Sequence, residues 1–342
     1  MAIFGDTPTP ASEVGSLRDG RAMSDALLLG AAGSSGHLIA AELAARGLSV
    51  RLAGRHRGPL EDLARALTAD GATTDLRTVD VSNASLADAI AGVGVVVSAI
   101  GPFARQAGPV IDACLASGVS YVDIANEWSA VRSLLDRDDH ARARAVTLVT
   151  GAGFGPAATE TLVLRLVRQV GTVPDRVRVA AAAYVTRQGD GVRQTIRESL
   201  SQGALTYRDG RLVREPLGSG ATVVTFGGAR RRMLPGPVGD LEAARLASGA
   251  ADVVAYIAEP AAPSSGTDSF AWAAVVTPDG DLAVAELVTG EGVRATASIA
   301  AETARRVLAG VASGAWTAGQ LFGPDLVTEA TGARVTLDGQ PA

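Results

Sequence analysis

Short apolar runs alternate with amphipathic stretches through the first 150 or so residues. Ala26–Gly30 (ALLLG) is a continuous apolar run, as a strand buried on both faces requires. His37–Arg46 then carries a helical pattern closed by Gly47. Ser49–Ala53, Asp75–Val79, Val93–Ile100, Ser120–Ile124 and Val146–Thr150 repeat the strand signature. Leu60–Ala69, Ser85–Ala91, Gly108–Ser117 and Ser129–Ala143 repeat the helical one, with Ser85 placed as an N-cap. Strand and helix in strict alternation predict an α/β fold, a Rossmann-type doubly wound parallel sheet. After Gly155-Pro156 the rhythm changes. A helix over Thr159–Gly171 and a long strand over Arg176–Val185 lead into Glu198–Gly203, Ala221–Phe226, Asp252–Ala258 and a hairpin of Phe270–Thr277 with Asp281–Thr289, then an Ala-rich helix over Val293–Leu308. This half predicts a second α+β domain with a mixed, largely antiparallel sheet.

The first strand–helix junction carries the chemistry. Gly30-Ala31-Ala32-Gly33-Ser34-Ser35-Gly36 is a G-x-x-G-x-x-G turn. Gly30 permits the sharp exit, Gly33 lets a pyrophosphate approach the backbone, and Gly36 lets the helix pack closely on the sheet. The N–H groups at the helix start, with those around Ala32 and the hydroxyls of Ser34 and Ser35, then meet phosphate charge. The second strand ends in Ala53-Gly54-Arg55-His56-Arg57, with Arg55 19 positions past Gly36. A carboxylate there would select NAD through the ribose hydroxyl; guanidiniums select a 2′-phosphate. The cofactor predicted is NADP(H), with Arg55, His56 and Arg57 at the phosphate. Asp80 and Val81, after the third strand, are placed at the adenine edge. Ala99, Ile100, Gly101, Pro102 and Phe103, after the fourth, border the nicotinamide side, as does Asn126 after the fifth. The organisation expected is a flexible extension at 1–23, an NADP-binding domain at 24–155, a substrate and dimerisation domain at 156–315, and a C-terminal segment, 316–342, packing back on the first domain.

Composition removes several alternatives. All 31 basic side chains are arginine; there is no lysine. That excludes a Schiff-base lysine, a lysine general base, the Tyr-x-x-x-Lys pair of short-chain reductases and a phosphate-loop lysine. A net charge of −5, with Arg230-Arg231-Arg232 as the only basic triplet, argues against nucleic acid as partner; the triplet reads as a solvated loop. One cysteine, Cys114, and three histidines make a His/Cys metal cage improbable, so no metal is expected. Residues 1–23 lack a signal-peptide pattern, and no apolar run reaches membrane-span length, so the expected location is the cytoplasm.

These segments together resemble the saccharopine dehydrogenase-like oxidoreductases, including the trans-acting enoyl reductases of actinobacterial lipid and polyketide pathways. The resemblance rests on Gly30–Gly36, Arg55, Ile100-Gly101-Pro102-Phe103, Gly108-Pro109-Val110 through Gly118, Tyr121-Val122-Asp123-Ile124, Asn126-Glu127 and Gly153-Phe154-Gly155-Pro156. It covers residues 25–160 well and the region around Glu291–Gly310 more loosely. It implies an NAD(P)(H)-binding first domain, and a second domain that completes a substrate cleft and often a dimer interface. The chain also departs from the family. The enoyl-reductase branch has Gly-Phe-Asp followed by Ser, Pro and Asp; here Gly155 stands where the carboxylate after Phe is expected, and whether Glu160 replaces the later one is left open by the sequence. Gly189–Thr195 only partly echoes that branch's Gly-Gly-Thr motif. The lysine of the saccharopine dehydrogenase acid–base pair has no counterpart.

Hydride transfer needs positioning and a proton donor. Tyr184, Glu127 and Tyr121 are the catalytic candidates, with Asn126, Arg187 and Tyr207 nearby. Each also has a structural reading: a strand-end hydroxyl for Tyr184, and a helix-terminal carboxylate for Glu127. His37 reads as a packed helix residue, His140 as solvated, and Cys114 as core. The expected activity is NADPH-dependent reduction of a C=C or C=N bond in a small, largely apolar biosynthetic intermediate. The competing expectation is a non-catalytic NADP-binding redox sensor.

Overall fold

The computed structural model describes residues 24–81, 85–185, 198, 201–258 and 267–341. The expected extension at 1–23, Arg187 and the Gly189–Thr195 stretch lie outside the described residues.

Six strands of the first domain follow the apolar runs: β1 (Ser24–Leu29), β2 (Val50–Gly54), β3 (Thr74–Thr78), β4 (Val93–Ser98), β5 (Ser120–Asp123) and β6 (Thr147–Thr150). Between them lie α1 (Gly36–Ala45), α2 (Arg57–Ala69), α3 (Ser85–Ile90), α4 (Phe103–Ser117), α5 (Trp128–Leu135) and α6 (Asp138–Ala143). The strands are ordered β6-β5-β4-β1-β2-β3, and every pairing is parallel. The unbroken apolar runs are explained by burial on both faces. Ala26, Leu28, Val95 and Val97 join one core with Ile39 and Leu43 of α1. Leu27, Leu29, Val96 and Leu148 join a second core with Ile90, Val110, Ile111, Cys114 and Leu134.

Two boundaries differ in a way that bears on the site. Helix α4 starts at Phe103, not at Gly108, with Pro102 as its N-cap and Pro109 inside it. Proline is favoured in a first turn, which is why Gly108-Pro109 reads as a start; here the ring sits in the second turn and removes one N–H. The expected helix over Ser129–Ala143 is two helices, broken at Asp136 and Arg137.

The second domain opens with α7 (Pro156–Val170), then β7 (Arg176–Ala182), β8 (Ala204–Arg208), β9 (Arg211–Glu215), β10 (Thr222–Phe226), β11 (Ala229–Pro235), α8 (Asp240–Ser248), β12 (Asp252–Ala258), β13 (Ser269–Val276) and β14 (Leu282–Thr289). Next come α9 (Gly292–Leu308), β15 (Gly314–Thr317), α10 (Ala318–Phe322), α11 (Leu326–Thr331), β16 (Arg334–Leu337) and β17 (Gln340–Pro341). The sheet runs β10-β11-β12-β7-β13-β14-β16-β17, with the β8–β9 hairpin branching from β12. Among the described residues of this sheet, only β12 and β7 pair in parallel. One face packs under α7 and α8 through Val177, Val179, Val253, Ala271, Leu162 and Leu241. Arg230–Arg232, expected in a loop, lie in β11, and Arg231 stacks over the rings of Phe226 and Phe270 at 5.2 and 5.6 Å. The two-glycine turn Gly227-Gly228 was the signal for that hairpin.

The chain then interleaves the two domains. Helix α9 packs beside α1, where Arg46 reaches Glu302 and the Ser298 carbonyl. Strand β15 extends the first sheet beyond β6 as a seventh parallel strand, whereas β16 returns to the second sheet beside β14. No helix among the described residues is long and apolar enough to cross a membrane.

Candidate functional site

The site forms along the carboxyl ends of the first sheet, where strand order reverses between β4 and β1. Gly30 leaves β1 with φ +78°, a left-handed conformation that glycine adopts without strain, and a Cβ there would meet Ile100 at 3.0 Å. At Gly36 a Cβ would stand 2.0 Å from the Gly30 carbonyl oxygen. The turn is held inward by Gly30 and Ala31 N–H donating to Ala53, and by Gly33 N–H donating to Gly30 at 2.9 Å. His37 Nδ1 lies 2.9 Å from the Gly33 carbonyl, bracing the same turn. The outer rim is different: Ala32, Gly33 and Ser34 are exposed, and the N–H groups of Ala32, Ser34 and Ser35 have no partner among the described residues.

Arg55 follows β2 and is exposed, with no ion-pair partner among the described residues. His56 is the exposed N-cap of α2. Arg57 is engaged: its Nε binds Glu61 at 2.7 Å on the helix surface. Of the three residues expected at a 2′-phosphate, Arg55 and His56 thus lie exposed and Arg57 lies exposed in a surface ion pair. Asp80 is exposed and Val81 half-buried beyond β3.

The loop after β4 is clamped from below. Ala99 N–H donates to Leu29, the Gly101–Pro102 peptide is cis, and Pro102 and Phe103 are buried. Glu127, only 2% exposed, accepts the Phe103 N–H at 2.8 Å through Oε1 and the Asn126 N–H at 3.3 Å through Oε2. Its carboxylate is thus spent on the first N–H of α4, where the helix dipole favours negative charge; this corrects the expectation of a proton donor there. Asn126 is exposed beside this clamp. Its carbonyl accepts Gly239 N–H from the second domain, and its side chain flanks Gly155 opposite the buried Asp240. Asp240 accepts the Thr159 hydroxyl at 2.9 Å, and burial pushes its carboxyl up to about 6. Asp123 ties the ends of β5 and β6, accepting Ala125 N–H, the Thr150 hydroxyl and Gly151 N–H; burial raises it to about 6 as well.

Tyr121 is not in the cleft. It is 0% exposed within the second core, its hydroxyl facing Ser98 and Asp123 without completing a hydrogen bond. Burial and the Asp123 charge push the phenol well above its ordinary value, so the catalytic expectation fails on access: a strand buried on both faces hides each alternate side chain. Tyr207 donates to Glu242 at 2.6 Å beneath the second sheet, with its phenol pushed up to about 12 by burial. Tyr184, two residues beyond β7, is half-buried; its N–H meets the Ser269 hydroxyl and its carbonyl accepts Gly292 N–H from the start of α9. One turn on, Thr296 accepts Phe154 N–H at 3.0 Å through its hydroxyl oxygen, which sets this part of the second domain over the ends of β5 and β6. Glu160 is fully buried in α7, accepting Gly319 N–H, Gln320 N–H and the Thr317 hydroxyl. It caps α10 rather than facing the cleft.

Fold and site together define a two-domain dinucleotide-binding protein with a Rossmann-type first domain. That first domain matches, over residues 26–149, the family model of the saccharopine dehydrogenase NADP-binding domain. Its cofactor is NADP(H), in keeping with Arg55. Over 150 residues the chain is 31% identical to the trans-acting enoyl reductase of Mycobacterium leprae, covering 43% of this chain and 36% of that protein. Over 115 residues it is 36% identical to a putative trans-acting enoyl reductase of Mycobacterium tuberculosis, covering 33% and 27%. The match thus spans about a third of these relatives' length. The fold is shared with apo saccharopine dehydrogenase (L-Glu forming) from Saccharomyces cerevisiae, at TM-score 0.63 and 13% identity over 92% of this chain and 99% of that one.

Proposed function

We propose that the chain is an NADPH-dependent reductase that passes hydride to a C=C or C=N bond of a small, largely apolar biosynthetic intermediate of the secondary-metabolite or lipid kind. The observation that carries this reading is the pairing of a glycine turn that admits no Cβ at Gly36 with the unengaged guanidinium of Arg55. The residues fit the cofactor. The free N–H groups of Ala32, Ser34 and Ser35 would hold its pyrophosphate and Arg55 with His56 its 2′-phosphate. Asp80 and Val81 would border the adenine, and Ala99–Phe103 with Asn126 the nicotinamide side. Bound NADPH supplies the hydride. Glu127 fixes the nicotinamide loop through Phe103, and Tyr184 donates the proton to the acceptor. The C=C reading follows the name of the enoyl reductases to which the first domain is similar.

The experiment is NADPH consumption, followed by absorbance, against a panel of enoyl thioesters and cyclic imines. Turnover with one class assigns the acceptor, and Tyr184→Phe then lowers kcat about 100-fold or more with NADPH affinity unchanged. Tight NADPH binding with no turnover on any acceptor would replace the reductase reading with that of an NADP-sensing protein.

A further inference from the structure

The second sheet has a face that α7 and α8 do not cover. Along β7, Val177 and Val179 point into the core, so Arg176 and Arg178 project from the opposite face. Both are exposed, and neither has an acidic partner among the described residues. Arg178 opens into a groove of about 340 Å³ whose other walls include Tyr256, Trp272, Val284 and the consecutive residues Thr222–Thr225 of β10. No carboxylate lines it among the described residues.

Consecutive residues line a groove when a strand presents its edge rather than its face. Among the described residues, strand β10 is the last strand of its sheet and pairs only with β11. Phe226 faces Ala229 across the two-residue turn, and Thr222 and Val224 face Met233 and Arg231. In an antiparallel pair the hydrogen-bonded positions alternate, so the N–H and C=O groups of Val223 and Thr225 point away from β11. They have no partner among the described residues. Val223 is 51% exposed beside them.

The geometry points to an extended acidic peptide segment as the occupant: it adds a strand to the free edge of β10 and sets a carboxylate on Arg178. Two unpaired guanidiniums on one face call for negative charge on the partner, and the exposed main-chain groups call for another extended backbone. Alternate side chains of an added strand turn to opposite faces, so its acidic residues face Arg178 in the groove while its apolar ones face away. A twofold contact with a second copy fits less well, because it would bring the same guanidiniums toward each other near the axis.

The test uses the full chain and a fluorescently labelled Val-Glu-Val-Glu-Val peptide read by anisotropy. The Glu peptide binds, and a Val-Gln-Val-Gln-Val peptide binds at least tenfold more weakly. Arg178→Gln removes the charge, and Val223→Pro removes one outward N–H at an edge position where proline is tolerated. Each weakens binding at least tenfold while NADPH binding, measured alongside, stays at the wild-type level. Absence of binding by the Glu peptide overturns the inference, as does binding that neither variant weakens. Loss in Arg178→Gln but not in Val223→Pro overturns the added strand and leaves a site for a free carboxylic acid. Self-association in sedimentation that Val223→Pro abolishes, with the peptide excluded from the dimer, overturns it in favour of a second copy.

Discussion

Replacing Gly36 with alanine tests the cofactor turn most directly. The new Cβ would stand 2.0 Å from the Gly30 carbonyl oxygen and 2.8 Å from that of Ala31. Real Cβ atoms essentially never approach closer than 3.0 Å, so turn and helix must separate by about 1 Å, on the order of the shifts that overpacking forces. Both obstacles are main chain, and no rotamer change relieves them. The movement costs about 1–3 kcal/mol as overpacking. It also strains the Gly33 N–H bond to Gly30, adding about 1 kcal/mol. Against a total stability of roughly 5–15 kcal/mol, the urea midpoint falls clearly. The N–H groups of Ala32, Ser34 and Ser35 lose their common orientation, so NADPH affinity, titrated by fluorescence, drops at least tenfold. Gly47→Ala is the control. Its φ is +77° with nothing within 4 Å of the added carbon. It costs about 1–2 kcal/mol from the left-handed backbone and leaves NADPH binding intact. A Gly36→Ala protein with wild-type midpoint and affinity would refute the close approach of α1 to the turn.

Arg55→Ala raises the Michaelis constant for NADPH about tenfold or more and that for NADH little, as the loss of charge-assisted contacts to one phosphate should; equal effects would sink the 2′-phosphate assignment. Glu127→Ala leaves the buried Phe103 N–H unpaired and costs about 1–3 kcal/mol, whereas Glu127→Gln keeps an acceptor and most of the stability. Turnover abolished in a stable Glu127→Gln protein would make Glu127 the acid instead. Burial raises Glu160 from 4.5 to about 7, so the folded chain holds a proton that the unfolded chain releases between those values. Its stabilising contribution is complete below pH 4.5 and is lost as pH rises toward 7, by at most on the order of 3 kcal/mol. Glu160→Gln removes its share of the slope, with Asp123 and Asp240 together leaving a comparable one of the same sign at lower pH. Urea midpoints at pH 5 and pH 8 check it; an unchanged gap counts against the buried carboxyl.

Much of the first domain was legible because its signals are local. An unbroken apolar run such as Val93–Ser98 needs cover on both faces wherever it lies, and the glycine at Gly36 answers a constraint set within seven residues, by the Gly30 and Ala31 carbonyls. The second half was read less well. The turns Asp209-Gly210 and Gly227-Gly228 join β8 to β9 and β10 to β11, yet the first hairpin was not expected and Arg230–Arg232 read as solvent-facing. Their charge outweighed their strand period, and only the Phe226 and Phe270 rings show why a guanidinium is tolerated there.

By itself the sequence determined the order of strands and helices in the first domain, the glycine turn after β1, the arginine proposed to meet the phosphate and, through the absence of lysine, the catalytic pairs this chain does not use. These follow from patterns within a few residues or from composition alone. The fates of the ionisable groups were decided by the tertiary structure. Glu127 and Asn126 are neighbours in sequence, yet one is buried on the α4 amide and the other exposed at the cleft. Tyr121 and Tyr184 are the same residue type, one sealed in a core and one at a domain junction. Whether a carboxylate or phenol reaches solvent depends on what packs over it. That cover comes from elements distant in sequence, Phe103 of α4 for Glu127 and Gly292 of α9 for Tyr184.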